Sequence, residues 1–355
     1  MSLHVEPQRE IGASSPQTHI GELIAHRRLG RFIGVASRVW AGVVVAALAM
    51  SCADSQAPTV TSFTWLGVTH WLVETPAGSL LLDAYTSRPP FTPAGPTAAG
   101  LELFRRIEAA VRPPPPVRWI FVGHSHFDHA LDVGPIALET GAMVIGSRST
   151  CFIAAAQGLS PERCTAVEGG ETLSLDPRLE VRVVRVPHSS PDSIGRFEEL
   201  SAPPQSALDA PNGGNLGFLF RLRDGVSWFY TNSIAPIDSD DGSGVDFATV
   251  LSATLGGAEP PNLWLGAPFG GSATLDPYLD IVRPKAFVPH HWDGLTPVLA
   301  DGPTIRFDPG GLDEDLAARG TALVVPDAYL EKVELGPNEV RLDPNLEVRT
   351  ALGLR

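Results

Sequence analysis

The residues best suited to chemistry in this 355-residue chain form one short run, HSHFDH at positions 124–129. An apolar, strand-like segment precedes the run. Because alternate residues of a strand lie on one face, His124 and His126 can point at one metal ion. Asp128 and His129 follow where the chain turns away, and they can reach a second ion. Imidazole and carboxylate groups are ligands that Zn²⁺ accepts, so the run predicts a metal site.

Three other histidines outside the N-terminal region also follow apolar segments. His188 comes after one such segment, and His290-His291 comes after another. Metal-type side chains therefore sit where predicted strands end and loops begin, a placement that recurs in mixed sheets with helices outside. His70 stands alone, and two interpretations stay open: a residue at the edge of the site, or a packed or exposed histidine without a role.

Composition limits the class of protein. The chain is 43% hydrophobic and 19% charged, with a net charge of −14, which suits one large globular domain or two small ones. Residues 1–52 hold five arginines and three glutamates, so the remainder is more acidic still. This argues against a nucleic-acid partner, because its phosphates require Lys or Arg. Composition does not exclude a small anionic substrate held by one or two arginines. The expected partner is a small-molecule or lipid substrate, and the oligomeric state is not predicted.

The N-terminus predicts export. A basic stretch precedes an uncharged run of thirteen residues, 39–51, which is too short to span a membrane; its arginines are Arg27, Arg28, Arg31 and Arg38. Cys52 then follows small residues in a lipobox-like pattern. We expect 1–52 to be an export signal with Cys52 lipidated, 53–62 a tether, and the protein to be anchored in a bacterial cell envelope by this lipid alone. The alternative is a buried N-terminal helix.

Only two other cysteines occur, Cys151 and Cys164, on either side of a predicted helix. An even pair in an exported chain predicts a disulfide, with two buried thiols as the alternative.

Periodicity predicts alternating strands and helices along the chain. The predicted strands lie at 63–73, 79–83, 117–122, 142–146, 173–175, 179–186, 215–222, 226–231, 263–266 and 286–288. The predicted helices lie at 101–111, 131–140, 152–158 and 247–255. The polar insertion 189–214 is either a functional lid or a disordered loop.

These pieces, in this order, resemble the metallo-β-lactamase superfamily. The resemblance rests on Leu66-Gly67 and the 80–83 segment, the His-x-His-x-Asp-His run, His188, and Pro289-His290-His291-Trp292, and it covers residues 63–300. The branch that it most resembles includes ascorbate-phosphate lactonase and N-acyl phosphatidylethanolamine phospholipase D. The implied fold is a single-domain α/β protein, a four-layer αββα sandwich with metals at one edge, over residues 63–355.

The resemblance also implies two sets of ligands. The first ion would be held by His124, His126 and His188. The second would be held by Asp128, His129 and His291, with His290 pointing the opposite way. The implied cofactor is one or two Zn²⁺ ions, and Fe or Mn stays open.

One position departs from the family. A bridging Asp is expected where this chain reads Tyr230-Thr231-Asn232-Ser233, so that Ser233 stands in its place. Three consequences stay open: the second site is weak, Asp238 substitutes, or the enzyme uses one ion.

The function implied is a zinc-dependent hydrolase that uses a metal-bound hydroxide to cleave an ester, lactone, amide or phosphodiester in the cell envelope. Asp128 would orient the nucleophile as well as ligate. Two alternatives remain: a non-catalytic metal-binding envelope protein, motivated by Ser233, and an iron oxygenase on the same fold.

Overall fold

The computed structural model describes residues 60–89, 95–111, 116–255 and 259–354. The predicted export signal and the Cys52 lipidation site lie outside these residues. The first strand begins at Thr61, so the last two residues of the predicted tether belong to a sheet. No helix within the described ranges is long and apolar enough to cross a membrane.

Two sheets form the centre of the described chain. The first contains β1 (Thr61–Trp65), β2 (Trp71–Thr75), β3 (Gly78–Leu82), β4 (Val117–Phe121), β5 (Met143–Gly146), β6 (Cys164–Ala166), β14 (Lys332–Leu335) and β15 (Val340–Asp343). The second contains β7 (Thr172–Asp176), β8 (Leu179–Arg185), β9 (Leu216–Leu222), β10 (Ser227–Thr231), β11 (Leu263–Gly266), β12 (Ala286–Pro289) and β13 (Ala322–Leu323). In space their orders are β15-β14-β1-β2-β3-β4-β5-β6 and β13-β12-β11-β10-β9-β8-β7.

Helices cover the outer faces of both sheets. They are α1 (Ala98–Ala110), α2 (Phe127–Ala130), α3 (Val133–Thr140), α4 (Arg148–Ala156), α5 (Phe247–Leu255), α6 (Gly271–Val282), α7 (Leu312–Ala318) and α8 (Leu346–Ala351). Helices α3 and α4 contact the first sheet, whereas α5 and α7 contact the second.

Alternation along the strands explains the layers. Phe218 and Phe220 face inward, with ring centroids 5.2 and 4.8 Å from that of Phe121 in the first sheet. Leu219, between them, packs in a second core with residues of α5 and α6. Because β9 is apolar on both faces, it is buried between the opposite sheet and the helices. The predicted αββα sandwich is confirmed.

Strand direction brings the ligand-bearing loops to one edge. Strands β10, β11 and β12 are parallel, and β8 runs in the same direction because both β8 and β10 are antiparallel to β9. Their carboxyl ends therefore meet, together with the end of β4 from the facing sheet. Segments at such an edge commonly form binding sites in α/β folds.

The predicted strand 63–73 was wrong, since it is two antiparallel strands, β1 and β2. The chain reverses at Gly67 and Val68, which have φ values of 88° and 50°. Leu66 and Val68 are buried, so the turn carries no polar signal. Farther on, Cys151 in α4 is bonded to Cys164 in β6, which confirms the predicted disulfide.

Candidate metal centre

All six predicted metal ligands gather at this edge. They form two groups, within each of which the ligand atoms lie within 4.8 Å of one another. The first group is His124, His126 and His188, and the second is Asp128, His129 and His291. The ring centroids of His124 and His129 are 4.1 Å apart, so the two groups adjoin.

Asn232 determines which nitrogen of His124 faces the first group. The Asn232 amide nitrogen donates to Asp83 Oδ2 over 2.9 Å, so its Oδ1 is the acceptor that faces His124 Nδ1 at 3.1 Å. His124 therefore donates from Nδ1 and presents an unprotonated Nε2 to its neighbours.

The other two rings are oriented by backbone carbonyls. His188 donates from Nδ1 to the carbonyl of Ser189, and the backbone of Ile194 acts on the His126 ring to raise its pKa against the effect of burial. His124 Nε2 then lies 3.0 Å from His126 Nδ1 and 3.1 Å from His188 Nε2. With the outer nitrogens protonated, three lone pairs face one another. A cation between them relieves this repulsion, so the first group fits a metal ion.

The first group is neutral at physiological pH. Burial, reinforced by neighbouring imidazoles, lowers the pKa of His124 well below its ordinary value. Burial also lowers the pKa of His126 to about 4 and that of His188 to about 3. Neutral imidazole is the form that binds metal, so this group needs to lose no proton at pH 7.

The second group carries charge. Asp128 Oδ2 lies 3.1 Å from His129 Nε2 and 3.2 Å from His291 Nε2. Burial lowers the pKa of His129, but the carboxylates of Asp128 and Asp83 outweigh it and raise this pKa to about 10. His291 has a φ of 65°, which is uncommon for a residue other than glycine and is typical of functional sites.

Asp83 is a site residue that the sequence analysis missed. It is fully buried and accepts hydrogen bonds from His129 Nδ1 at 2.6 Å, Thr69 Oγ1 at 2.5 Å and the Gly123 amide at 2.8 Å. Burial would raise the pKa of Asp83, but His129, Thr69 and Asn232 hold it below its ordinary value. The available signal was a carboxylate directly after the apolar strand β3, since a buried acid needs partners.

Ser233 is not directed at the metal ligands. Its hydroxyl accepts from the Ser189 amide at 3.0 Å and donates to Ser189 Oγ at 3.1 Å. The residue of this segment that contacts the ligands is Asn232, one position earlier. Asp238 is exposed and belongs to neither group. Among the described residues, then, neither Ser233 nor Asp238 supplies a bridging ligand.

His290 and His70 are packed histidines. His290 accepts from Trp71 Nε1 at 3.0 Å and donates from Nε2 to the Thr231 carbonyl at 2.9 Å, so it faces away from His291. His70 is buried and stacked on Phe104. Burial lowers the pKa of His70 to about 4 and that of His290 to about 3.

Comparison with known proteins assigns the family. A family model described as a beta-lactamase superfamily domain matches residues 79–292. The chain belongs to the beta-lactamase superfamily. A UPF0173 metal-dependent hydrolase of Roseiflexus castenholzii is 25% identical over 273 residues, with 75% of this chain and 94% of the relative covered. A second, from Pyrobaculum calidifontis, is 24% identical, with 76% and 95% covered.

A solved structure shares the fold of this superfamily member. It is Igni18, a novel metallo hydrolase from Ignicoccus hospitalis, with 16% identity, a TM-score of 0.50, and 78% of this chain and 99% of that chain covered. The predicted superfamily, fold and enzyme class, a metal-dependent hydrolase, are confirmed. The metal and the bond cleaved stay predictions.

In this superfamily member, the insertion 189–214 is a fixed wall of the first group. Asn212 is buried and donates to the Gly195 carbonyl at 2.9 Å, while its own carbonyl accepts from the Ser125 amide at 3.0 Å. A Cβ at Gly195 would lie 2.8 Å from His188 Nδ1, so the loop presses on that ligand. The prediction of a disordered loop was therefore wrong, because buried polar anchors hold it in place.

We expect Asn212→Ala to weaken metal binding at the first group by about 10- to 100-fold, as for other lost outer partners. The variant would remove the hydrogen bond that holds the loop. The backbone of Ser189 and Ile194 would then no longer be fixed beside the ligand rings. Competition titrations with a chromophoric chelator measure this. Asn262→Ala is the control, because it removes a buried amide bonded to Ser227 and Pro337 instead. Equal losses in both variants would refute the assignment.

We also expect the two groups to differ in proton release. Filling the second group at pH 7 should displace about one proton from His129, so its affinity rises about tenfold per pH unit below pH 10. The first group, with pKa values of about 3 to 4 for His126 and His188, should show no such dependence above pH 5. Calorimetry in buffers of different ionisation enthalpy measures the protons. Equal release in both steps would contradict this prediction.

Proposed function

We propose that this metal-dependent hydrolase uses zinc and cleaves an ester, lactone, amide or phosphodiester in the cell envelope. The observation that carries the proposal is the convergence of His124 Nε2, His126 Nδ1 and His188 Nε2 beside the second group. Nitrogen donors with one carboxylate suit zinc. Bound zinc would acidify a water molecule and polarise the attacked group.

Asp128 is the carboxylate among the six ligands, and it is ionised at neutral pH. Burial would raise its pKa, but His129 and His291 hold this pKa well below its ordinary value. The ionised carboxylate would therefore ligate through Oδ2 and orient the attacking water. Asp83 would keep His129 oriented from the opposite side, through its hydrogen bond to Nδ1.

The envelope location is proposed from the N-terminal pattern and the cysteines. The Cys151–Cys164 disulfide supports it, since such bonds persist mainly in oxidising compartments. A lipid on Cys52 would anchor the domain to the membrane.

The second candidate is a metal-binding protein without turnover. Asn232 favours it, because a neutral amide contacts the ligands from the segment where the superfamily places a bridging carboxylate.

A substrate panel separates the two candidates. Nitrophenyl esters, lactones and bis-p-nitrophenyl phosphate are assayed with and without chelator, after metal content is measured by mass spectrometry. The hydrolase predicts turnover of at least one class that chelator removes and Zn²⁺ restores. No turnover at full metal occupancy would favour the binding protein, and iron as the bound metal would contradict zinc.

A further inference from the structure

Solvent reaches the metal centre mainly at two of its six ligand residues. Four of the six ligand residues are buried, and the two that are partly exposed are His126 in the first group and His291 in the second. A substrate must approach along these two rings. The side chains beside them therefore decide which substrates can bind.

Ile194 flanks His126. Its backbone interacts with the His126 ring. The next residue, Gly195, packs on the first group, because a Cβ built there would lie 2.8 Å from His188 Nδ1. The side chain is nevertheless 66% exposed. Asn212 holds the neighbouring Gly195 carbonyl, so the backbone that carries this exposed side chain has a fixed position.

Phe269 flanks His291. The two ring centroids are 5.0 Å apart, with an edge-to-face angle of 67°. Phe269 is half-buried and, like Ile194, it is not part of the hydrophobic cores formed by the described residues. Apolar groups held at an open site without a packing role are typical of substrate contacts.

The metal-ligand side chains have no basic partner among the described residues. In the described chain, the hydrogen bonds and ion pairs of the six ligand side chains go to no Lys or Arg. Arg88 is buried against Asp293. Arg196, two residues after Ile194, lies against Gly242 of the acidic loop. Where Ile194 and Phe269 lie, a substituent beside the scissile bond would therefore meet apolar carbon.

We propose that the substrate carries an uncharged apolar chain next to the scissile bond and that Ile194 and Phe269 contact this chain. This inference rests on the proposed hydrolase function, because only a hydrolase has a scissile bond. Its test, however, is a binding measurement that requires no turnover.

The probes are three hydroxamates, which coordinate zinc through the same group and differ only in their tails. Calorimetry with the zinc-loaded full chain compares acetohydroxamate, hexanohydroxamate and succinic monohydroxamate. Each methylene that leaves water is worth up to about fourfold in affinity, so four partly buried ones should give hexanohydroxamate a gain of about tenfold. The succinic compound should bind no better than acetohydroxamate.

Ile194→Thr keeps the β-branch and the backbone carbonyl but replaces apolar surface with a hydroxyl. We expect it to reduce the chain-length gain to about threefold, with zinc content and acetohydroxamate affinity unchanged. The control is Leu346→Thr in α8, where the side chain is 63% exposed and makes no contact with the centre among the described residues.

Equal affinities of the two alkyl probes, tighter binding of the succinic probe, or binding of none of the three would overturn the proposal. A gain that Ile194→Thr leaves intact would remove Ile194 from it. A chain-length gain without turnover of any member of the substrate panel supports the apolar contact and favours the binding protein over the hydrolase. Hydrolysis without a chain-length gain would support the hydrolase and refute the apolar contact. The failure of one proposal can therefore be distinguished from the failure of the other.

Discussion

The His126→Ala variant should bind one metal equivalent fewer than the unmodified protein and lose more than about 100-fold of its chelator-sensitive hydrolysis. Loss of an outer partner of a ligand already costs about 10- to 100-fold, and here a ligand nitrogen itself is removed. His126 Nδ1 lies 3.0 Å from His124 Nε2, so its loss leaves the first group two imidazoles. The second group should still bind, because none of its ligands changes.

A matched control is His290→Gln. His290 is buried beside a ligand but bonds Trp71 and Thr231, and a glutamine amide can donate and accept in the same places. Metal content should stay the same in this variant. The measurements are the metal content of both variants and their turnover of one substrate that the unmodified protein hydrolyses. Full occupancy in His126→Ala would show that its ring is not a ligand, and equal losses in both variants would indicate a general effect on folding.

The ligands could be predicted from sequence because each lies next to a strong local signal. A run of apolar residues predicts a strand, the strand ends at the sheet edge, and a histidine follows it. The partners of those ligands carry no such signal. Asp83 is 46 positions before the His129 that it orients, and Asn212 is 87 positions after the Ser125 that it holds. Such contacts exist only after the strands have paired.

Ser233 shows that sequence does not reveal the direction of each side chain at a strand end. The end of β10 was correctly located, but neighbouring residues of an extended segment point in opposite directions. Asn232 faces the imidazoles and Ser233 faces Ser189. A local pattern gives the position of a strand end more readily than it gives the face on which each side chain lies.

The C-terminal third shows a different limit. Strand β14 pairs with β1, whose residues lie more than 260 positions earlier, and so completes the first sheet. Its four residues, Lys332–Leu335, alternate polar and apolar, which is too short a pattern to predict a strand alone. This pairing, and not the local propensity of the segment, brings Tyr329 to the buried ion pair of Arg88 and Asp293. Asp293 lies two residues after the ligand His291.

Asn232→Asp should not restore a bridging ligand and should instead destabilise the protein at alkaline pH. The Asn232 amide contacts the outer nitrogen of His124 and Asp83 Oδ2, 2.9 Å away, not the converging ligand nitrogens. A carboxylate there would face a second buried carboxylate. One of the pair would then take a proton, and its pKa would rise above its unfolded value.

The pH dependence follows from that raised pKa. A carboxyl group protonated in the fold but ionised when unfolded favours folding at low pH, and this contribution is lost as the pH rises through the folded pKa. We expect a loss of about 3 kcal/mol in unfolding free energy at pH 8 and a smaller loss at pH 5. Denaturant titrations at both pH values measure it. Gln205→Glu, which adds the same charge at an exposed position, should change little. Unchanged stability with an additional metal equivalent would mean that the new carboxylate reaches the ions after all, and that the position of Asn232 behind His124 does not prevent bridging.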